Sequence, residues 1–153
     1  MKILTPQPIS TDFNIAIIIS RFNEDITEKL LEGALAQLKE KGFQDSHITV
    51  AWVPGAVEIP LAAQRFAQTK RFDVIICMGA VIQGETKHFD YVCQQVSQGC
   101  QQVMLAHDIP MIFGVMTVND KAQAYARLGG DHGHMGRSAA DSACDFLSVL
   151  RQI

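Results

Sequence analysis

Asn14-Ile15-Ala16-Ile17-Ile18-Ile19 is the stretch of sequence that decides the fold of this chain. It is a short, continuous apolar run, and its β-branched isoleucines favour a strand. A strand that is apolar at every position is buried on both faces, which is typical of a parallel sheet covered by helices on both sides. The run therefore predicts a parallel α/β protein.

Strands and helices alternate along the rest of the chain. The predicted strands are 14–19, 48–53, 73–78 and 110–116, and the predicted helices are 25–41, 61–68, 89–107, 121–128 and 137–150. The first helix follows a 3.6-residue apolar period, and Asn23 or Asp25 is expected to cap its start. This order of elements implies right-handed βαβ units. The predicted fold class is α/β, a three-layer sandwich in which a four-stranded parallel sheet carries helices on both faces.

Length and composition limit the classes of protein that need considering. The 153 residues suit one domain, so we predict a single domain over 1–153, with residues 1–12 as an extended N-terminal arm. A net charge of −3 without a basic stripe argues against nucleic acid as a partner. No apolar run reaches the roughly 18 residues of a membrane span, and no signal peptide is recognisable, so a cytoplasmic location is expected. The four cysteines form no C-x-x-C pair, and reduced thiols are expected.

The loops that follow the strands carry the candidate functional residues, because ligands of a parallel sheet bind beyond the carboxyl ends of its strands. These loops are 20–23, 54–58, 80–88 and the segment after Val115. His88 is the best candidate for catalysis, since histidine exchanges protons near neutral pH. The alternative interpretation is a surface histidine at a helix N-terminus.

Two parts of the sequence are candidates for binding an anion. The segment 84–86 could present backbone N–H groups at the start of the third helix, although an ordinary turn is the alternative. It is not a nucleotide-binding P-loop, because Glu85 stands where that motif requires lysine. Arg127 and Arg137 flank a glycine-dense loop and could contact a phosphate. The alternative for each arginine is a solvated helix charge, which is the commoner case.

Two further side chains, Phe22 and Glu58, each have two interpretations. Phe22 could stack on a planar ligand or pack as a hydrophobic staple against the following helix. Glu58 could accept hydrogen bonds from a polar ring or serve as a glutamate favoured at a helix N-terminus. Phe113 lies in an apolar run, where core packing is the simple explanation. The Asp/His segment 131–134 has no further ligands at suitable spacing, so no metal site is predicted.

Taken together, these loops resemble one family. Four stretches carry the resemblance, in order and at family spacing: 20–23 (S-R-F-N), 53–60 (V-P-G-A-V-E-I-P), 79–92 (G-A-V-I-Q-G-E-T-K-H-F-D-Y-V) and 110–115 (P-M-I-F-G-V). They are similar to the lumazine synthases of riboflavin biosynthesis. The resemblance implies a flavodoxin-like sheet and a transferase that condenses 5-amino-6-(D-ribitylamino)uracil with 3,4-dihydroxy-2-butanone 4-phosphate. The implied products are 6,7-dimethyl-8-ribityllumazine, phosphate and water, and no metal or organic cofactor is implied.

The resemblance also implies a role for each matching residue. The implied catalytic residue is His88, as general acid and base. The pyrimidine and its ribityl chain would be held by Phe22, Ala56, Val57, Glu58, Ala80, Val81 and Ile82. The butanone phosphate would be held by Glu85, Thr86 and Arg127. A neighbouring subunit would contribute Phe113.

Two positions depart from the family pattern. Many members carry arginine at the position of Gln83 and lysine at that of Met135. The resemblance therefore does not identify a second basic residue for the phosphate site of this chain, and Arg137 is the candidate to take its place. The family forms pentamers and, in many bacteria, sixty-subunit shells, and the loop 129–136 lacks the insertion of free pentamers, which favours the shell. Besides the small-molecule substrates, the implied partners are further copies of the chain and riboflavin synthase. The alternatives are a non-catalytic lumazine- or flavin-binding protein and a cage-forming protein on the same fold.

Overall fold

The computed structural model describes all residues from Met1 to Ile153. Its central sheet has four parallel strands in the spatial order β2-β1-β3-β4. The strands are β1 (Ile15–Ser20), β2 (Ile48–Val53), β3 (Val74–Ile82) and β4 (Met111–Val118). The helices are α1 (Glu24–Glu40), α2 (Ile59–Gln68), α3 (His88–His107), α4 (Lys121–Ala126) and α5 (Met135–Leu150).

The apolar run of β1 lies at the centre of the fold, between β2 and β3. All six of its residues are buried, and its two faces belong to two separate apolar clusters. Ile15, Ile17 and Ile19 pack in the cluster that contains α1 and α5, whereas Ala16 and Ile18 pack in the cluster that contains α2 and α3. Each fully buried isoleucine contributes roughly 1.5–3 kcal/mol of hydrophobic stabilisation. The predicted three-layer parallel α/β fold is confirmed.

The predicted boundaries of β3 and β4 were too short. The glycine after residue 78 was taken to end β3, but the strand continues because β4 supplies a hydrogen-bonding partner as far as the pair Ile82 and Val118. The backbone N–H of Gln83 donates to the carbonyl of Val118 at 2.9 Å. This extension brings the last residues of β3 to the edge of the sheet at which the loops gather.

The segment between β4 and α5 also differs from the prediction. The predicted helix 121–128 ends at Ala126, and two short antiparallel strands follow, β5 (Leu128–Gly130) and β6 (Gly133–His134). We call residues 128–134 the hairpin. Its strands are too short for a periodic pattern to be read from the sequence, and α5 begins directly after it at Met135 rather than at 137.

The expected side-chain cap of α1 was wrong. Asn23 does occupy the capping position, but it has left-handed backbone angles, and its side chain makes no bond to the helix. Its amide nitrogen instead donates to the carbonyl oxygen of Ala80 at 2.8 Å. Asn23 therefore connects the loop after β1 to the end of β3.

The two ends of the chain lie against each other. Residues 1–12 contain no helix or strand, and the backbone N–H of Gln7 donates to the Ser148 hydroxyl at 2.8 Å. The Gln152 amide donates to the carbonyl of Thr5 at the same distance.

All four cysteines are free thiols, and burial raises the pKa of Cys144 to about 11. None of the helices combines the length and apolarity needed to cross a membrane.

Candidate active site

An apolar cleft opens at the carboxyl ends of β1 and β3 and has a volume of about 410 Å³. Its wall is formed by the loop after β1, the turn before α2, the end of β3 and the start of α3. The lining residues are Phe22, Asn23, Gly55, Ala56, Val57, Ala80, Val81, Ile82, Gly84, Thr86, His88, Phe89 and Val92. The cleft thus lies where ligands of a parallel sheet are expected to bind, and we call it the cleft below.

Phe22 stands at the mouth of the cleft. Its ring is 72% exposed, so it is not the hydrophobic staple that was the alternative interpretation. The turn that carries it is fixed by two backbone bonds to the segment after β2, from Arg21 to Val53 at 2.8 Å and from Phe22 to Pro54 at 3.1 Å. An exposed aromatic ring on a fixed backbone can stack on a planar ligand at little entropic cost.

The turn before α2 provides the opposite wall. Ala56–Glu58 forms one turn of 3₁₀ helix that leads directly into α2. A carboxylate oxygen of Glu58 accepts a hydrogen bond from the backbone N–H of Gly55 at 2.8 Å, so this side chain caps its own turn. Ala56 and Val57 line the cleft, whereas Glu58 is exposed and lies beside it. The carboxylate keeps a second oxygen for a ligand.

His88 is the first residue of α3, and its side chain lines the cleft. The Thr86 hydroxyl, which also faces the cleft, accepts a hydrogen bond from the His88 backbone N–H at 3.3 Å. Glu85 is exposed between Gly84 and Thr86 and is not part of the wall. The N-terminus of this twenty-residue helix carries unpaired N–H groups and a partial positive charge, so it favours an anion beside His88.

Phe113 and Arg127 lie outside the cleft. Phe113 is on β4 at the edge of the sheet, 42% exposed, and lines a different groove with residues of α3. The guanidinium of Arg127 donates to the carbonyl of Gln123 at 2.9 Å, on the last turn of α4. Within one chain, the structure therefore leaves these two predicted residues apart from His88 and Phe22.

Arg137 does not stand free to replace a missing basic residue. Its guanidinium makes a two-bond pair with the Glu40 carboxylate, at 2.9 and 3.0 Å, and a further bond to the Gln37 side chain at 2.7 Å. Its hydrogen bond to Glu40 raises the pKa of Arg137 and lowers the pKa of Glu40. The arginine is thus held against α1, away from the cleft.

Three side chains that line the cleft were missed as ligand contacts by the sequence interpretation. Asn23 was considered only as a helix cap, and no local pattern reveals its bond to Ala80, 57 positions along the chain. Phe89 and Val92 belong to the first turns of α3. Their spacing of three places them on one face of that helix, a signal that could have indicated them once His88 was chosen.

No group of three or more histidine, cysteine, aspartate or glutamate residues is arranged to hold a metal ion.

The fold and the cleft define a class: a three-layer parallel α/β protein with an apolar ligand site at the carboxyl edge of its sheet. Comparison with known proteins gives the family. The model of the 6,7-dimethyl-8-ribityllumazine synthase family matches residues 12–151. The proteins named 6,7-dimethyl-8-ribityllumazine synthase from Coxiella burnetii strains CbuG_Q212 and RSA 493 / Nine Mile phase I are each 51% identical over 143 residues, 94% of this chain and 95% of theirs. This chain belongs to the 6,7-dimethyl-8-ribityllumazine synthase family.

Proposed function

We propose that this chain condenses 5-amino-6-(D-ribitylamino)uracil with 3,4-dihydroxy-2-butanone 4-phosphate to give 6,7-dimethyl-8-ribityllumazine, phosphate and water. One observation carries the proposal: an exposed aromatic ring, Phe22, and a histidine, His88, line the same apolar cleft at the carboxyl edge of the sheet. The ring offers a stacking surface for the pyrimidine, and the histidine offers a proton donor and acceptor next to it. Membership of the family supports the same reaction.

The residues of the cleft suit each stage of this chemistry. The primary amine of the pyrimidine attacks the ketone, an imine forms with loss of water, phosphate leaves, and the ring closes with loss of water. These stages require protons to move near neutral pH, which we assign to His88. Phe22, Ala56, Val57, Ala80, Val81 and Ile82 hold the ring, and Glu58 offers its free oxygen to the ribityl chain. Since both substrates are reactive, holding them together supplies much of the rate.

The phosphate needs positive charge that the cleft lacks. None of its thirteen lining residues is lysine or arginine. The backbone at Glu85 and Thr86 beside the α3 N-terminus supplies hydrogen-bond donors but only a partial charge. We assign the full charge to Arg127, which in one chain lies outside the cleft, as Phe113 does.

A second copy of the chain would complete the site. β4 and β2 are the two edges of the sheet, so a contact between unlike edges of neighbouring copies would be heterologous, and it forms a ring where the rotation closes. We propose that Phe113 and Arg127 of one subunit meet the cleft of the next in a homo-oligomer, a pentamer that assembles further into a sixty-subunit shell. Four free cysteines, three of them buried, suit the reducing cytoplasm, and riboflavin synthase is the proposed user of the product.

The experiment that tests the function is absorbance on mixing the two substrates with the purified protein. Lumazine formation well above the rate of the same mixture without protein is the expected result. A rate equal to that mixture would contradict the proposal. If lumazine still bound, the chain would be a binding protein, and if only a large particle were seen by sedimentation, it would be a cage protein.

A further inference from the structure

The side chain of His134, at the end of the hairpin, is inserted against α1. A Cβ atom added at Gly33 would overlap the imidazole ring, so only glycine at that position leaves room for it. The Nδ1 atom of the ring is buried and has no hydrogen-bond partner. With Nδ1 unpaired, the packing of the ring beside Gly33 is the contact that the structure shows for this side chain.

The start of α5, directly after the hairpin, packs closely against the same part of α1. A Cβ atom at Gly136 would overlap the carbonyl oxygen of Leu30, so α5 begins in direct contact with the same segment of α1 that accepts the imidazole. Residues 30–34 of α1 therefore form a seat for both the end of the hairpin and the start of α5. We call this segment the α1 seat.

Arg127 is connected to this fastening through the hairpin backbone. Leu128 pairs with His134 across the hairpin, and the N–H of Met135 donates to the carbonyl of Arg127 at 2.8 Å. Residues 127 and 135 thus face each other at the base of the hairpin. A displacement of His134 from the α1 seat would move the backbone from which the Arg127 side chain extends.

We propose that His134 is a positioning residue, whose imidazole, inserted beside Gly33, holds the hairpin and thereby places Arg127 for the phosphate of the second substrate. This inference rests on the proposed function, since the role of Arg127 is part of it. His134 itself does not line the cleft, so it acts through Arg127 and not on the reacting atoms.

The charge state of His134 gives the arrangement a pH dependence. Burial, and after it the guanidinium of Arg137 on α5, lower the pKa of His134 below its ordinary 6.5, while Glu32 on α1 acts in the opposite direction. From the hairpin, Leu128 and Gly129 face the ring, and neither titrates. At His134 the unfolded chain takes up a proton more readily than the folded one. The contribution of this residue to the free energy of unfolding is therefore fully present above pH 6.5 and is lost as the pH is lowered below it.

A comparison of four variants tests the geometry. His134→Ala removes the ring, and Gly33→Ala places a methyl group where the ring stands. Each is expected to raise the KM for the butanone phosphate about tenfold, with kcat and the KM for the pyrimidine nearly unchanged. The double variant Gly33→Ala/His134→Ala is expected to be no worse than either single variant, because the overlap disappears with the ring. Effects that simply add would overturn the proposal.

The fourth variant, His134→Phe, keeps a flat ring but cannot take up a proton. Between about pH 7.5 and 5.5, the KM of the parent protein for the butanone phosphate should rise more steeply than that of His134→Phe. The cleft and the substrate are the same in both assays, so parallel profiles would overturn the proposal. This comparison remains available if His134→Ala does not fold.

Arg127→Ala, measured in the same assay, separates this inference from the proposed function. If Arg127→Ala raises the KM for the butanone phosphate and His134→Ala does not, the positioning role alone is wrong. If Arg127→Ala leaves that KM unchanged, the phosphate assignment in the proposed function is wrong, and the inference falls with it. Thermal unfolding of every variant confirms that the differences come from folded protein.

Discussion

The cleft and the hairpin are two regions of one chain that are built in opposite ways. The cleft is an open space lined mainly by apolar side chains at the ends of strands, with Phe22 largely exposed. The hairpin is exposed from 129 to 133 but closely packed at its end, where His134 fills the space above Gly33 and α5 follows with Gly136 in contact with a carbonyl of α1. The cleft contains no cation, whereas Arg127 at the base of the hairpin has its guanidinium bound to a carbonyl of its own helix.

In the proposed function, recognition of the ring and recognition of the phosphate belong to separate parts of the chain, and this difference suits the two tasks. An apolar cleft binds a planar ring through area and shape, and it tolerates an open mouth because the ligand itself fills the space. A phosphate contact requires donors at fixed positions, so the arginine that provides it needs a rigid support. The predictions below test whether the two regions separate in this way.

The largest expected effect is that of His88→Ala. Loss of the proton donor and acceptor should lower kcat about 100-fold, the lower end of the range for general acid–base catalysis, because the substrates remain aligned in the cleft. Binding of the pyrimidine, followed by fluorescence or calorimetry, should be nearly unchanged. His107→Ala, at the opposite end of α3, is the matched control and should leave turnover as it is. An unchanged kcat in His88→Ala would remove the assigned role.

Arg127→Ala is expected to have the next largest effect. Loss of one charge-assisted contact costs roughly 2 kcal/mol, which corresponds to a KM for the butanone phosphate about thirtyfold higher. The KM for the pyrimidine should stay constant in steady-state assays. The control is Arg137→Ala, which removes the pair with Glu40 but no proposed substrate contact. An effect of Arg127→Ala confined to the pyrimidine would contradict the separation of the two regions.

The same variant tests whether the two regions meet between subunits. Subunits with His88→Ala and subunits with Arg127→Ala are each impaired, but in a mixed oligomer some intact clefts face intact hairpins. At a butanone phosphate concentration well below KM, random co-assembly of equal amounts should restore about a quarter of the parent activity per site, since each site then draws on two chains. If cleft and hairpin of one chain formed the site, co-expression would restore nothing.

The sequence predicted the fold well because the decisive signals were local and long enough to read. The apolar run from 14 to 19 indicated a central strand, and β1 is indeed buried throughout. The wrong predictions concerned contacts between residues that are distant in the sequence. β3 runs on to Ile82 because β4 lies beside it, and the Asn23 side chain turns away from its helix because the Ala80 carbonyl is within reach.

The site residues also differ in whether they depend on local motifs or on distant contacts. Motifs at strand ends brought eight of the predicted residues to the cleft wall: Phe22, Ala56, Val57, Ala80, Val81, Ile82, Thr86 and His88. The placement of Arg127 could not be read in this way, because it depends on a hairpin of very short strands and on the contact between His134 and Gly33. Packing of a ring against a glycine in another helix leaves no periodic signal in the sequence.

Phe22→Ala has a smaller expected effect, and it falls on the other substrate. Removing the ring takes away a stacking surface worth roughly 1.4 kcal/mol, so the KM for the pyrimidine should rise about tenfold, with Phe22→Leu in between. Stability should change little, because the ring is exposed. Phe146→Ala, a partly exposed ring on α5, is the control in the same titration. A rise in the KM for the butanone phosphate alone would break the comparison between cleft and hairpin.

Substitution of Glu58 has the smallest expected effect. This residue stands beside the cleft, and its carboxylate already accepts a hydrogen bond from the Gly55 N–H, so a role in binding must be separated from a role in stability. Glu58→Gln keeps an acceptor for the Gly55 N–H, whereas Glu58→Ala loses the cap, at a cost of about 1 kcal/mol in the free energy of unfolding. If the second oxygen holds the ribityl chain, both variants weaken pyrimidine binding, and Glu58→Gln does so without a matching loss of stability. If Glu58 is only a cap, binding follows stability, and Glu58→Gln resembles the parent in both denaturation and KM. The ribityl contact therefore depends on a difference between binding and stability in the glutamine variant, because the alanine variant changes both.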